Sequence, residues 1–313
     1  MVVISLARKR PALALGNVVG SAISNILGAF SLGLLFRSPS ADMFDQSSKI
    51  YTCVLLIITS LAAGILAFGR RVNQKAVGGV FVGMFALHIV SISVLIARGV
   101  ATAPEEMSDS DSDSDSDTSD DEESPLVRDS TTDAAQGRNY NTVAAAGDSA
   151  HRNVRRRPRR LLHHVIMLLL GFLAICLSGF VLSTAASNLV DQSGMSDLVF
   201  GIVILSIATT LPEKAIAIVS GYKGHMGIMV ANTVGSNIFL LTLCLGIVWL
   251  AEQDGGSLAS SEIWVMFGST IVLNLAVLLG GRFARPIGVA MLLGYIAFIA
   301  LEFTVIHGVA GAD

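Results

Sequence analysis

The sequence predicts an all-α integral membrane protein made of two membrane halves joined by a long hydrophilic segment. Three observations carry this. Apolar residues make up 52% of the 313 residues and charged residues only 14%, against about 25% charged in soluble domains. The apolar residues fall in long unbroken runs. One segment of different composition, residues 99–160, interrupts them.

The runs lie at 11–36, about 50–69, 76–97, 161–187, 198–220, 226–250, 263–281 and 286–308. Each is close to the ~20 residues a helix needs to cross a bilayer. They do not alternate in polarity, as the ~10-residue strands of a membrane barrel do. With no water in the bilayer to satisfy the backbone, helices remain. About eight full transmembrane helices are expected. Ahead of them stands Met1-Val2-Val3-Ile4-Ser5-Leu6 before a basic cluster. This apolar stub is too short for a span or a signal peptide. It reads as the end of a ninth helix whose beginning is absent.

The interrupting segment carries eleven acids between Glu105 and Glu123, then turns basic at Arg155–Arg160. Such a stretch buries too little apolar surface to fold and is expected to be disordered. Its serines followed by acids suit an acid-directed kinase, and its basic cluster suits anionic lipid headgroups. It divides the chain into a first membrane half at 1–98, a loop at 99–160 and a five-helix second half at 161–313. Lys and Arg near span ends are more numerous on the loop's side, which favours a cytosolic loop. Cys53, Cys176 and Cys244 lie inside apolar runs and read as small hydrophobes.

The halves share a repeat. Asn17-Val18-Val19-Gly20-Ser21-Ala22-Ile23 matches Asn232-Thr233-Val234-Gly235-Ser236-Asn237-Ile238 at five of seven positions, with an offset of 215. Five spans separate the copies, so they face opposite sides and the repeat is inverted, a frequent transporter design. Gly16 and Gly20, like Ala231 and Gly235, have the small-xxx-small spacing that lets helices approach closely.

The chemistry concentrates at Ala208-Thr209-Thr210-Leu211-Pro212-Glu213, mid-span in the fifth run. A carboxylate at that depth is costly, so it marks a functional site by default. Thr209 and Thr210 precede Glu213 by four and three residues, which on an unbroken helix puts all three on one face. Pro212 has no N–H, so the carbonyl of Ala208 loses its helical donor. The result is an oxygen-rich half-site of the kind hard cations such as Ca2+ take. The bland alternative is a proline kink with self-bonded threonines and a protonated Glu. Asn17, Ser21 and Asn25 form a polar stripe at i, i+4 and i+8, repeated as Asn232 and Ser236 and then lost at Leu240. Helix packing is the plain reading of either stripe alone. Lys214 is expected to point ~100° away from Glu213, Glu302 to sit near the interface, and His88 to be a packing residue.

Thr209-Thr210-Leu211-Pro212-Glu213 followed by Asn232-Thr233-Val234-Gly235-Ser236-Asn237 resembles the second α-repeat of the cation/calcium exchanger superfamily. Gly16-Asn17-Val18-Val19-Gly20-Ser21 resembles the second helix of its first α-repeat. The resemblance implies an inverted-repeat exchanger fold of ten helices and no enzyme activity. It also implies no cofactor beyond a transported cation, Ca2+ with Na+ or H+ as counter-ion. By analogy Thr209, Thr210, Glu213 and Ser236 bind ions from one repeat, and Ser21 and Asn25 from the other. Ala208 and Asn232 complete the expected metal set. Beyond transported cations the expected partner is membrane lipid, not nucleic acid, in the plasma membrane or an endomembrane such as a vacuole. Two departures stand out. Members of the family carry a second acid in the first repeat, and subtracting the offset from 213 places it before Met1. The chain is therefore expected to be N-terminally truncated. Leu240 stands where some exchangers have a carboxylate or amide. The alternatives left open are a transporting exchanger and a non-transporting fragment or regulatory membrane subunit.

Overall fold

A computed structural model describes residues 1–38, 44–69, 73–97, 149–251, 258, 260–279 and 283–306. The Ser-Asp run lies outside them. In chain order the helices are α1 (Val2–Ala7), α2 (Pro11–Leu35), α3 (Gln46–Phe68), α4 (Gln74–Ala97), α5 (Ser149–Ser193), α6 (Asp197–Thr209), α7 (Leu211–Lys223), α8 (Met226–Leu250), α9 (Ser260–Leu279) and α10 (Ala284–Leu301). No strand occurs among the described residues. Among the described residues seven helices are long and apolar enough to cross a membrane, or eight with the bent pair α6–α7 counted as one span. The protein is thus an integral membrane protein of the all-α class.

Contacts divide the chain into two units, Met1–Pro104 with Leu177–Asp313, and Glu105–Cys176. The second is described only as the first part of α5, which begins at Ser149. Twelve residues of the segment read from sequence as unfolded are therefore helical. Ala150 and the arginines there are good helix formers, and they run without a break into the apolar stretch. Val165 to Ile175 keep their large side chains exposed, a surface suited to lipid.

The first unit shows the repeat in three dimensions. The α-helical part of α2 is Pro11–Ile23 and that of α8 is Met226–Ile238, so both ends differ by 215. Each helix then widens into π-helical turns at the same register, Ser24 in α2 and Phe239 in α8. Such turns mark places where a helix is locally under-wound, frequently at functional sites. The turn before each copy also matches. Lys9 (φ 58°) and Gly224 (φ 81°) hold left-handed backbone at the same offset. Gly does this without steric cost, whereas Lys9 strains.

Packing follows the same symmetry. The end of α2 packs on α10, and the end of α8 packs on α4. α3 and α9 pair with each other, while α8 lies on α3 and α2 on α9. The small-residue pairs differ, however. A Cβ on Gly16 would meet the Leu198 carbonyl at 2.4 Å, and one on Gly20 the Ile202 carbonyl at 2.3 Å. So α2 lies backbone to backbone against α6, as its spacing predicts. Ala231 is exposed and nothing lies within 4 Å of a Cβ on Gly235. The second copy of the motif makes no such approach among the described residues.

Candidate functional site

The site forms where α2 crosses the bent pair α6–α7. The two helices meet at 46° across Thr210. Pro212 takes a first-turn position of α7, where its missing N–H costs nothing. Behind the site Gly33 and Gly221 bring α2 and α7 into contact. A Cβ on Gly221 would lie 2.3 Å from the Gly33 carbonyl.

The break changes which residues act together. On an unbroken helix Thr209, Thr210 and Glu213 share a face. Here Thr209 ends α6, and its Oγ1 lies 3.2 Å from both Asn17 Oδ1 and Ser21 Oγ of α2. Ser21 Oγ is in turn 3.5 Å from Asn17 Oδ1. Thr210 turns elsewhere. Its Oγ1 is 2.9 Å from Ser24 Oγ and donates to the Ser206 carbonyl at 2.7 Å. It also accepts from Lys214 Nζ. Lys214 therefore points back to Thr210, one turn away.

A third group consists of buried polar atoms without hydrogen-bond partners. They are Glu213 Oε2, both amide atoms of Asn25, both of Asn237, Asn232 Nδ2 and Thr233 Oγ1. Asn25 is 1% exposed and Asn237 0%. An unsatisfied buried polar group costs about 1–3 kcal/mol, so each needs a reason to be there. The stretch of α2 that carries Asn25 packs against both α7, which carries Glu213, and α8, which carries Asn237. The unpartnered atoms thus lie on three helices that pack together and come from both halves of the chain.

Of the residues expected from sequence, Ser21 and Thr209 are joined by direct contact, and Asn25 and Glu213 lie on packed segments. Ala208 sits in the last turn of α6. Asn232 and Ser236 are half-buried on α8 and are not hydrogen-bonded to the others among the described residues. Sequence reasoning missed Ser24, Tyr295 and Asn237. Ser24 maps by the offset onto Phe239, so the repeat gave no signal for it. Tyr295 donates from its OH to Ser24 Oγ at 2.8 Å across 271 residues. Asn237 was visible in the motif but lay off the i, i+4 stripe. Glu302, expected near the interface, is buried within the protein at 2% exposure with Oε2 unpartnered. No three His, Cys, Asp or Glu side chains gather among the described residues. The oxygens at the site are one carboxylate with amides and hydroxyls.

The two halves are also tied by charge. Arg10, just ahead of α2, pairs with Asp191 and, at 2.8 Å, with Asp197 at the start of α6. The hydrogen bond to Asp191 and the pull of both carboxylates raise the Arg10 pKa against the opposing effect of burial.

Comparison with known proteins places the chain in a family. The profile of the sodium/calcium exchanger protein family matches residues 1–94 and 163–304, which together are most of the chain and all of the site. The chain belongs to that family. CaxA of Alkalimonas amylolytica is 25% identical over 296 residues, covering 93% of this exchanger chain and 78% of CaxA. The sodium/calcium exchanger MaX1 of Methanosarcina acetivorans is 27% identical over 116 residues, 35% of this chain and 32% of MaX1. The human sodium/potassium/calcium exchanger 5 is 28% identical over 126 residues, 37% of this chain and 25% of that protein. The matches to the latter two thus span a third or less of those proteins. As a member of this family the exchanger chain is a transporter rather than an enzyme.

Proposed function

We propose that this protein is a secondary active cation antiporter that moves Ca2+ in exchange for Na+ or H+ by alternating access. The observation that carries the reading is the unpartnered Oε2 of Glu213, at a helix break, near the packed α2 segment whose Asn25 amide is also unpartnered. Orphaned oxygens of this kind suit a hard cation that replaces its hydration shell with protein ligands. Glu213 would carry the charge. Asn25, with the hydroxyl groups of Ser21, Thr209 and Ser236, the carbonyl of Ala208 and the amide of Asn232, would supply neutral oxygens. Because the ligands come from both halves, rocking one against the other would open the site to alternate sides. Two of the relatives are named as exchangers of sodium and calcium, one of them with potassium, which supports the choice of ions.

The membrane would be the plasma membrane or an endomembrane such as a vacuole. From the sequence chemistry we add an acid-directed kinase on the Ser-Asp run and lipid headgroups at Arg155–Arg160. The reading is tested by uptake of radiolabelled Ca2+ into proteoliposomes of the full chain under an outward Na+ gradient and, separately, an outward H+ gradient. Accumulation under one gradient supports the reading and names the counter-ion. Failure under both, with the protein folded in the bilayer, contradicts it.

A further inference from the structure

Lys214 places a second charge at the site, and its surroundings are unusual for a membrane lysine. Such lysines near a span end extend to the headgroups. Lys214 instead turns inward. Its Nζ donates to Ser24 Oγ at 2.8 Å and to Thr210 Oγ1. Both acceptors are buried, Ser24 fully and Thr210 at 2% exposure. Gly28 leaves the room, since a Cβ there would meet Lys214 Cε and the Tyr295 ring at 3.3 Å.

The hydroxyls are fixed in the orientation that a cation requires. A hydroxyl has one donor and two acceptor lone pairs. Ser24 Oγ accepts from Lys214 and, at 2.8 Å, from Tyr295, so its own proton goes to Thr210 Oγ1, 2.9 Å away. Thr210 accepts from Ser24 and Lys214, so its proton goes to the Ser206 carbonyl at 2.7 Å. Each hydroxyl is thereby left with one lone pair aimed at the ammonium. The chain Tyr295–Ser24–Thr210–Ser206 draws on both halves and builds a two-oxygen cradle for one positive charge. The ammonium is a compact cation with three donors, close in its demands to a monovalent metal ion.

We propose that the Lys214 ammonium is a built-in occupant of a monovalent-cation subsite formed by Ser24 and Thr210. This rests on reading the oxygens around Glu213 as a cation site, but not on transport. The tethered charge belongs to the residue that follows Glu213 in the chain and takes a place that a free ion would otherwise fill. It makes Lys214 a specificity-determining residue, because it fixes how many mobile cations the site holds.

The test is thermal melting of the purified full chain in detergent, in NaCl against N-methyl-D-glucamine chloride at equal ionic strength. Ligand that binds only the folded state raises its stability by RT ln(1 + [L]/Kd). Lys214→Ala vacates the cradle. It is expected to melt lower than wild type without Na+ and to gain a Na+-dependent rise in Tm larger than wild type shows. Lys214→Met fills the space with a side chain that brings no charge, and is expected to gain no added Na+ response. Equal Na+ responses in Lys214→Ala and wild type overturn the proposal, as does an added response shared by both variants. If Lys214→Ala does not fold in any cation, the ammonium is a structural prop and the proposal is also overturned. Failure of the antiporter reading shows in flux, whereas failure here shows in melting, so the two outcomes are separable.

Discussion

The repeat offers a matched pair of substitutions with opposite expected outcomes. Gly20 and Gly235 are equivalent by sequence, and each sits inside an α-helix. A Cβ on Gly20 would lie 2.3, 2.6 and 2.8 Å from the carbonyl oxygen, Cα and carbonyl carbon of Ile202. All three are backbone atoms, so no side chain can rotate away. Restoring ordinary contact needs α2 and α6 to separate by roughly 1 Å, and overpacking of this kind costs about 1–3 kcal/mol. The same shift would stretch the 3.2 Å contacts of Thr209 with Asn17 and Ser21 beyond hydrogen-bonding range, at about 1 kcal/mol more. Alanine returns up to ~1 kcal/mol through helix propensity. Gly20→Ala should therefore destabilise by about 1–3 kcal/mol net. Gly235→Ala, with nothing within 4 Å, receives only the propensity gain. Unfolding by SDS in mixed micelles, followed by circular dichroism, reads both variants. Gly20→Ala unfolding at the wild-type SDS fraction, or Gly235→Ala losing as much, would refute the reasoning.

Further predictions follow from single residues. Asn25→Leu removes two unpartnered amide atoms. It should leave stability equal or higher in SDS titration while weakening Ca2+-dependent stabilisation of the protein. Lys9→Gly should stabilise by about 1 kcal/mol, because Lys9 holds φ 58° where its offset partner is Gly224; the same titration measures it. Asp45 caps α3 by accepting from the Ser48 amide at 3.0 Å. Burial pushes its carboxyl up, but hydrogen bonds from Ser48 and Ser47 outweigh this and hold its pKa below the usual value. Its stabilisation is present above the unfolded pKa near 3.8 and is lost as pH falls through the lower folded value. Asp45→Ala should cost about 1 kcal/mol at neutral pH, with the difference from wild type vanishing in melts at strongly acidic pH.

Much of the architecture is legible in the sequence because lipid leaves few options. Long apolar runs fix the spans, and the offset of 215 carries over into helix ends, π-helical turns and left-handed turn residues alike. Glu213 is legible as a carboxylate in the middle of an apolar run. The partition of the site is not. Pro212 signals a break, but not that the break sends Thr209 to Asn17 and Ser21 and Thr210 to Ser24. The contacts of Lys214 and Tyr295 with Ser24 span 190 and 271 residues. They depend on how α2, α7 and α10 meet, which no local pattern encodes. Likewise the two small-residue pairs look alike in sequence, and only packing shows that Gly16 and Gly20 are used.

The central claim is that a cation occupies the oxygens around Glu213 and reaches both sides of the membrane from there. Self-exchange of radiolabelled against unlabelled Ca2+ across proteoliposomes tests it without assuming a counter-ion. Wild type should exchange, and Glu213→Gln, folded by the same melting criterion, should not. Wild-type exchange by Glu213→Gln would contradict the account.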